Sequence, residues 1–509
     1  MSSAAPPLPA SYPARVQPAV ICNLIDGCFR PARGGATTVA QNPATNQMIA
    51  TVPDSTAHDV NEAVAAASRA FPEWSTRPAD ERAALLMRLA DLVERDLDAF
   101  ALAESENTGK PLALARSLDV PRSIANLRHF AHAVMEDRTR LFEQELPQGS
   151  MQSTVLRKPL GVAACISPWN LPLYLFTWKI APALAAGCTV VGKPSEVTPV
   201  TAWMLSQRMV DAGFPAGVCN VVHGRGPLAG AALVAQPDVA CITFTGGTLT
   251  GESIARSAAG SFKRTALELG GSNAAIVCAD AANDAHLPAT VEALVRAMFT
   301  NQGQVCHCAS RILIERSCWD RLVPALVERT RALRIGDPLD ATTDFGSLIS
   351  AAHLLRVASM VNAAVGDGAR VLCGGERIPA DALPERVRSG AFYAPTLLQD
   401  VSVDSNANQE EIFGPVATLI PFSTDAEAIR IANGTKYGLS ATVWTRDDER
   451  AMRLSRALTV GTVWINGWMM RDLRVPIGGF RCSGIGREGG MDALHFFAEP
   501  MVVVRRTGG

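Results

Sequence analysis

Apolar positions along the chain fall into two textures. Over 78–100 they recur at helical spacing (Leu85, Leu86, Leu89, Leu92, Val93, Leu97, Phe100) with acids and arginines between them, which predicts an amphipathic helix begun by Pro78. From about residue 160 short apolar runs bounded by glycine or proline alternate with helical stretches: 162–166, 189–191, 218–222, 240–244 and 274–277. Strands alternating with helices predict a parallel sheet covered on both faces, with 199–212 and 228–235 as crossover helices. A helix from Pro288 to about Thr300, the segment 301–310 and a second alternating series to about Thr462 follow. Within that series 374–390, rich in proline, glycine and charge, reads as a surface loop. The last apolar run, 501–506, predicts an edge strand, either of its own fold or of an oligomer.

A chain of 509 residues exceeds one typical domain, so two or more packed units are expected. Hydrophobic residues at 48% and charged residues at 19% exclude disorder and coiled coil. The net charge of −2 leaves no basic excess for nucleic acid. The longest uncharged apolar stretch, 180–192, is shorter than the roughly 18 residues of a membrane span and is broken by Pro182. Residues 1–20 are rich in alanine and proline and carry no charge before Arg15, unlike a secretory signal, so 1–19 is expected to be a flexible arm. Twelve scattered cysteines read as reduced thiols of a cytoplasmic protein.

Several short motifs sit where strands end. Phe244-Thr245-Gly246-Gly247 follows a strand and opens a helix, so small residues let backbone N–H groups approach a phosphate; a plain tight turn fits equally. It lacks the Lys and Ser/Thr of a nucleotide-triphosphate loop. The looser cluster Gly224, Gly226 and Gly230 reads as a turn. Lys193-Pro194-Ser195-Glu196 follows the strand 189–191, where a carboxylate suits free ribose hydroxyls and repels a 2′-phosphate, favouring NAD over NADP; a solvated ion pair is the alternative. Glu268-Leu269-Gly270-Gly271 ends a strand with a carboxylate that is either a general base or a solvated acid. Asn301-Gln302-Gly303-Gln304-Val305-Cys306 sets a thiol just past a glycine turn, as a nucleophile or a merely buried cysteine. Cys306-His307-Cys308 has no second pair at zinc spacing, so no metal is expected. Ser167-Pro168-Trp169-Asn170 aims an amide from a strand end, as an oxyanion donor or a turn former. His129 and His132 read as solvated helix-face residues.

The ordered set of these motifs, completed by Glu410-Glu411-Ile412-Phe413-Gly414-Pro415, resembles the NAD(P)-dependent aldehyde dehydrogenase superfamily over about residues 20–505. The resemblance implies an α/β fold with a Rossmann-type parallel-sheet cofactor domain (20–140 and 160–270), an α/β catalytic domain (271–481) and a small β oligomerisation segment (141–159 and 487–507) of a dimer or tetramer. It makes Cys306 the nucleophile, Glu268 the general base and Asn170, with the Cys306 N–H, the oxyanion donor. NAD contacts fall on Ile166, Pro168, Trp169, Lys193, Ser195, Glu196, Gly226, Phe244, Thr245, Gly246, Gly247, Leu269, Glu411 and Phe413. Two further stretches, Leu118-Asp119-Val120-Pro121-Arg122 and Asn466-Gly467-Trp468-Met469-Met470-Arg471-Asp472-Leu473-Arg474, resemble the muconic-semialdehyde branch. There arginines matching Arg122 and Arg471 bind the carboxylate of 2-aminomuconate or 2-hydroxymuconate 6-semialdehyde, which is oxidised to the dicarboxylate; ordinary structural ion pairs are the alternative for both. Three positions depart from the family pattern: Ser272 for a Lys, Gly247 for Ser or Glu, and His307 for a small or apolar residue. Rival readings are a dehydrogenase for betaine aldehyde or an aliphatic aldehyde, a cysteine thioesterase using Cys306 and Glu268, and a non-catalytic NAD-binding protein.

Overall fold

The computed structural model describes residues 19–137, 139–147 and 149–507. Most of the expected N-terminal arm, residues 1–18, lies outside the described residues; Ala19, assigned to that arm, instead pairs with Ala50 in a short parallel ladder.

The first alternating series builds an eight-stranded sheet. Its five central strands are parallel, in the spatial order Arg264–Glu268, Val239–Thr245, Val162–Ile166, Thr189–Lys193 and Cys219–Val221. The chain winds outward from Val162–Ile166 in one direction, then returns to start Val239–Thr245 on its other side. Such a reversal opens a crevice at the carboxyl ends of the strands. The register puts Ile166 opposite both Lys193 and Phe244, and Thr245 opposite Glu268, so four motifs distant in sequence meet along one sheet edge. The strands read as continuous apolar runs because helices cover both faces, and Val162–Ile166 and Thr189–Lys193 are buried throughout.

The run 274–277 belongs elsewhere than its texture indicates. As part of Asn273–Val277 it lies in a seven-stranded sheet, paired in parallel with Ala309–Glu315 and Ser440–Trp444. Hydrophobic runs cannot distinguish two parallel sheets, because both are buried on two faces. The terminal strand Ala498–Thr507 pairs antiparallel with Gly149–Pro159, which in turn pairs with Arg140–Leu146. It begins at Ala498, so the preceding helix Gly490–Phe496 is not part of that ladder and packs on Pro172–Ala186 instead.

Three helical expectations need correction. The helix expected over 78–100 breaks at Asp96 into Ala79–Arg95 and Leu97–Thr108, with Asp96 leaving helical geometry where its carboxylate meets Arg95 and Arg208. Of the glycine cluster read as a turn, only Gly224 (φ 144°) lies outside a helix; Gly226–Gly230 is a wide helical turn that runs into Ala231–Ala235, so the helix expected over 228–235 starts two residues earlier. His129 is half-buried with its Nε2 lacking a partner, and only His132 faces solvent.

Candidate active site

Cys306 sits on a knuckle forced by backbone geometry. After the helix Leu287–Phe299 the chain passes through Asn301 (φ 53°, ψ 39°) and Gln302 (φ 57°, ψ 34°), a left-handed pair of non-glycine residues that costs roughly 1–3 kcal/mol each. Surrounding hydrogen bonds hold the strain: Asn301 Nδ2 donates to Asn170 O (3.0 Å), and Ile349 N donates to Gln304 Oε1 (3.0 Å). Gly303 follows at φ 70°, where a Cβ would lie 2.1 Å from Gly414 O, so only glycine allows the two loops to touch.

Around the thiol, the motifs converge as their register requires. A cavity of about 240 Å³ is walled by residues including Trp169, Asn170, Gly246, Cys306, Glu411 and Phe413. Asn170 is 3% exposed and donates one amide hydrogen to Gln304 O (2.9 Å), leaving its second N–H unspent. Its backbone oxygen accepts from Lys110 Nζ (3.0 Å), whose charge is matched by Asp119 at 2.7 Å with both side chains fully buried. Glu268, at the end of Arg264–Glu268, is 8% exposed with Oε1 unpartnered among the described residues. Burial first, then the neighbouring Glu488 carboxylate, pushes its carboxyl well above the usual range, opposed by Lys179 and Arg487. Burial, then the Glu411 and Glu268 charges, likewise pushes the Cys306 thiol up, so it rests protonated at neutral pH and needs a base to react.

The two glycines after Glu268 admit Glu411. A Cβ on Gly270 would fall 2.2 Å from Glu411 Oε2, and Gly271 N donates to Glu411 Oε1 at 3.0 Å. Phe413 (φ 54°) stands edge-on to Trp169 at 5.2 Å. Two side chains unnoticed in the sequence fix this turn from the helix Ala351–Gly366: His353 Nε2 lies 2.7 Å from Phe413 O, and Arg356 donates to the carbonyls of Glu411 and Ile412, each at 2.7 Å. An i, i+3 pair on a helix carries no motif; its significance appears only when that helix packs beside residue 413.

The opposite end fits a dinucleotide. Gly247 precedes the helix Thr248–Ala259 with no side-chain cap, a Cβ on it would meet nothing within 4 Å, and Thr245 Oγ1 is buried without a partner, a cradle suited to phosphate. A Cβ on Gly246 would run into the Phe244 ring, so glycine there leaves that ring in place. Lys193 Nζ bonds Glu196 (3.1 Å), and Gly226 N donates to the same carboxylate (3.3 Å), so Glu196 stands fixed beside the open space over Gly226. The side chain of Ser195 caps Val197 N, Pro168 and Leu269 supply apolar wall, and Ile166 is buried in the core behind them.

Arg122 and Arg471 gather around Tyr174, which packs with Val305 next to the thiol. Arg471 stacks 4.0 Å over Trp178, and its Nε and one terminal nitrogen are buried without hydrogen bonds. Arg122 donates to Met469 O (3.2 Å) and keeps its other terminal nitrogen buried and unpartnered. Neither forms an ion pair among the described residues. Burial, then the Arg122 charge, lowers Arg471 to about 9. Two guanidiniums with buried, unspent donors have the chemistry to take an anion.

This arrangement, a thiol on a strained knuckle that lines one cavity with the glycine turn at the carboxyl edge of a doubly wound sheet, defines a family. The sequence pattern of the aldehyde dehydrogenase family matches residues 29–503, and the chain belongs to it. It is 48% identical to the 2-aminomuconic semialdehyde dehydrogenase of Danio rerio over 94% of this chain and 97% of that one. It is 44% identical to the 2-hydroxymuconic semialdehyde dehydrogenase of Pseudomonas sp. (strain CF600), over 94% and 98%. Among solved structures, an NAD+ complex of an aldehyde dehydrogenase from Bacillus cereus superposes with TM-score 0.90 at 36% identity, covering 96% of each chain.

Proposed function

We propose that the chain oxidises a muconic 6-semialdehyde, carrying an amino or hydroxy group at carbon 2, to the dicarboxylate with NAD. The observation that carries the substrate is the pair of buried, unpaired guanidiniums of Arg122 and Arg471 close to the Cys306 thiol. Betaine aldehyde, a cation, would meet like charge there, and an aliphatic aldehyde would leave two buried cations unanswered.

Glu196 and Lys193 would hold the adenosine ribose, the Gly246–Gly247 turn the phosphates, and Glu411 with Phe413 the nicotinamide end. NAD+, when bound, supplies the hydride acceptor. Glu268 takes the Cys306 proton and releases it to solvent before its second use as a base, and the thiolate attacks the aldehyde carbon. The free amide N–H of Asn170 and the N–H of Cys306 hold the oxyanion of the thiohemiacetal. Once hydride has left, the thioester is hydrolysed by water deprotonated by Glu268.

On this reading 20–140 and 160–270 serve the cofactor and 271–481 the thiol chemistry. The exposed three-stranded sheet, with Val502, Val503 and Val504 on its surface, pairs protomers in a dimer or tetramer. All twelve cysteines are free, which suits the reducing cytoplasm.

The test is NADH formation with semialdehyde generated in situ by a ring-cleavage dioxygenase, beside betaine aldehyde and hexanal. A kcat/KM for the muconic semialdehyde at least tenfold above both supports the reading. Equal values, or turnover of aldehyde or thioester without NAD dependence, refute it.

A further inference from the structure

His307 follows the nucleophile, and the mechanism above gives it no role. Its ring is 9% exposed and stands edge-on to Trp464 (5.3 Å), and its carbonyl accepts from Trp468 Nε1 (2.7 Å). Trp464 Nε1 donates to Met470 O (2.8 Å), and Arg122 donates to Met469 O (3.2 Å). The loop that carries Arg471 therefore clamps His307 and Arg122 onto one wall, its shape set by left-handed Asn466 (φ 52°) and Met469 (φ 55°). His307 thus adjoins the thiol by covalent bond and the arginine-bearing loop through Trp464 and Trp468, with the Arg122 charge near enough to act on its ring.

The hydrogen-bond inventory fixes what the ring offers. Burial, then the Arg122 charge, pushes the imidazole down to about 4, so it is neutral at physiological pH. Its Nδ1 lies 3.0 Å from Ser440 Oγ, and among the described residues that hydroxyl has no other acceptor. Ser440 therefore spends its hydrogen on Nδ1, which leaves the ring hydrogen on Nε2. Nε2 makes no hydrogen bond among the described residues. It is a donor without an acceptor among those residues.

In a 2-substituted muconic 6-semialdehyde, the substituent sits on the carbon next to the carboxylate, two atoms from the group that Arg122 would hold. We propose that His307 reads that substituent, donating from Nε2 to an oxygen on carbon 2 and so favouring the hydroxy (or tautomeric keto) compound over the amino one. An amino nitrogen conjugated through the diene to the aldehyde has lost its lone pair to resonance and offers only hydrogens, so it meets the Nε2 hydrogen donor to donor. The inference rests on the muconic-semialdehyde reading and selects within it.

The experiment compares kcat/KM for the 2-hydroxy and 2-amino semialdehydes and for 6-oxohexanoate, which keeps the carboxylate and aldehyde but has no group on carbon 2. His307→Leu should lower the hydroxy-to-amino ratio by about fivefold or more, the worth of one hydrogen bond, with a smaller loss on 6-oxohexanoate than on the hydroxy compound. Ser440→Ala, which frees the tautomer, should lower the same ratio without removing the ring, and it carries the test if His307→Leu fails to fold. An unmoved ratio, or equal losses on all three aldehydes, overturns the role of His307 while leaving the substrate reading intact. Failure of the wild type to oxidise either muconic semialdehyde overturns the substrate reading and this inference with it, and is seen before any variant is measured.

Discussion

Replacing Arg471 with methionine should separate stability from function. Two of its guanidinium nitrogens are buried, and burial together with the Arg122 charge brings its pKa down to about 9, a shift worth roughly 4–5 kcal/mol against the charged form. Stacking over Trp178 and Tyr174 returns about 2 kcal/mol. Methionine keeps the apolar stem against those rings and removes the cation, so the free protein should gain about 1–3 kcal/mol. Thermal unfolding followed by circular dichroism should show a rise of about 1 °C or more. The same change removes the charge-assisted bonds to the substrate carboxylate, each worth about 1.5–3 kcal/mol, so kcat/KM for a carboxylated semialdehyde should fall about 10–100-fold. Hexanal, which has no carboxylate, should lose far less. A dicarboxylate product analogue should raise the unfolding temperature of the wild type and not of the variant. A variant that unfolds at a lower temperature and keeps its preference for carboxylated aldehydes would show that Arg471 is a structural cation, and the reasoning from its missing partners would be wrong.

Two further predictions concern the machinery around the thiol. Glu268 must be ionised to act as a base, and its carboxyl is raised by burial and by Glu488, so activity should fall with decreasing pH through a midpoint above the ordinary carboxylate range. Glu488→Gln removes the repelling charge and leaves Lys179 nearby, so the acid limb of the kcat profile should move to lower pH; a limb that stays in place denies Glu268 the role of base. Lys110→Met breaks a fully buried pair, which should cost about 3–5 kcal/mol in urea unfolding. Because Lys110 also holds the Asn170 carbonyl, kcat should fall more than KM rises, and Lys110→Met combined with Asp119→Leu should recover stability but not kcat.

Much of this site was legible because the chemistry uses short, local signatures. A strand followed by glycines, a thiol after a glycine turn and a carboxylate before a glycine pair each announce a conformation that few other residues permit, and their order along the chain specifies the family. Lys110, Asp119, His353 and Arg356 carry no such signature. They are ordinary polar residues on helices, and they acquire their roles from what packs against them.

The local physics of the chain therefore determined the alternation of buried strands and helices and the glycine-flanked positions of the candidate thiol, carboxylate and amide, whose order carries the family resemblance. Tertiary structure alone decided that 274–277 joins the second sheet, that the helix over 78–100 breaks at Asp96, and that Arg122 and Arg471 form no ion pair among the described residues. The reason is common to all three. Periodicity and turn chemistry report on residues a few positions apart, whereas sheet membership, burial of charge and the partner of a donor depend on segments brought together from across the chain, as Arg122 is to Met469 and His307 to Ser440.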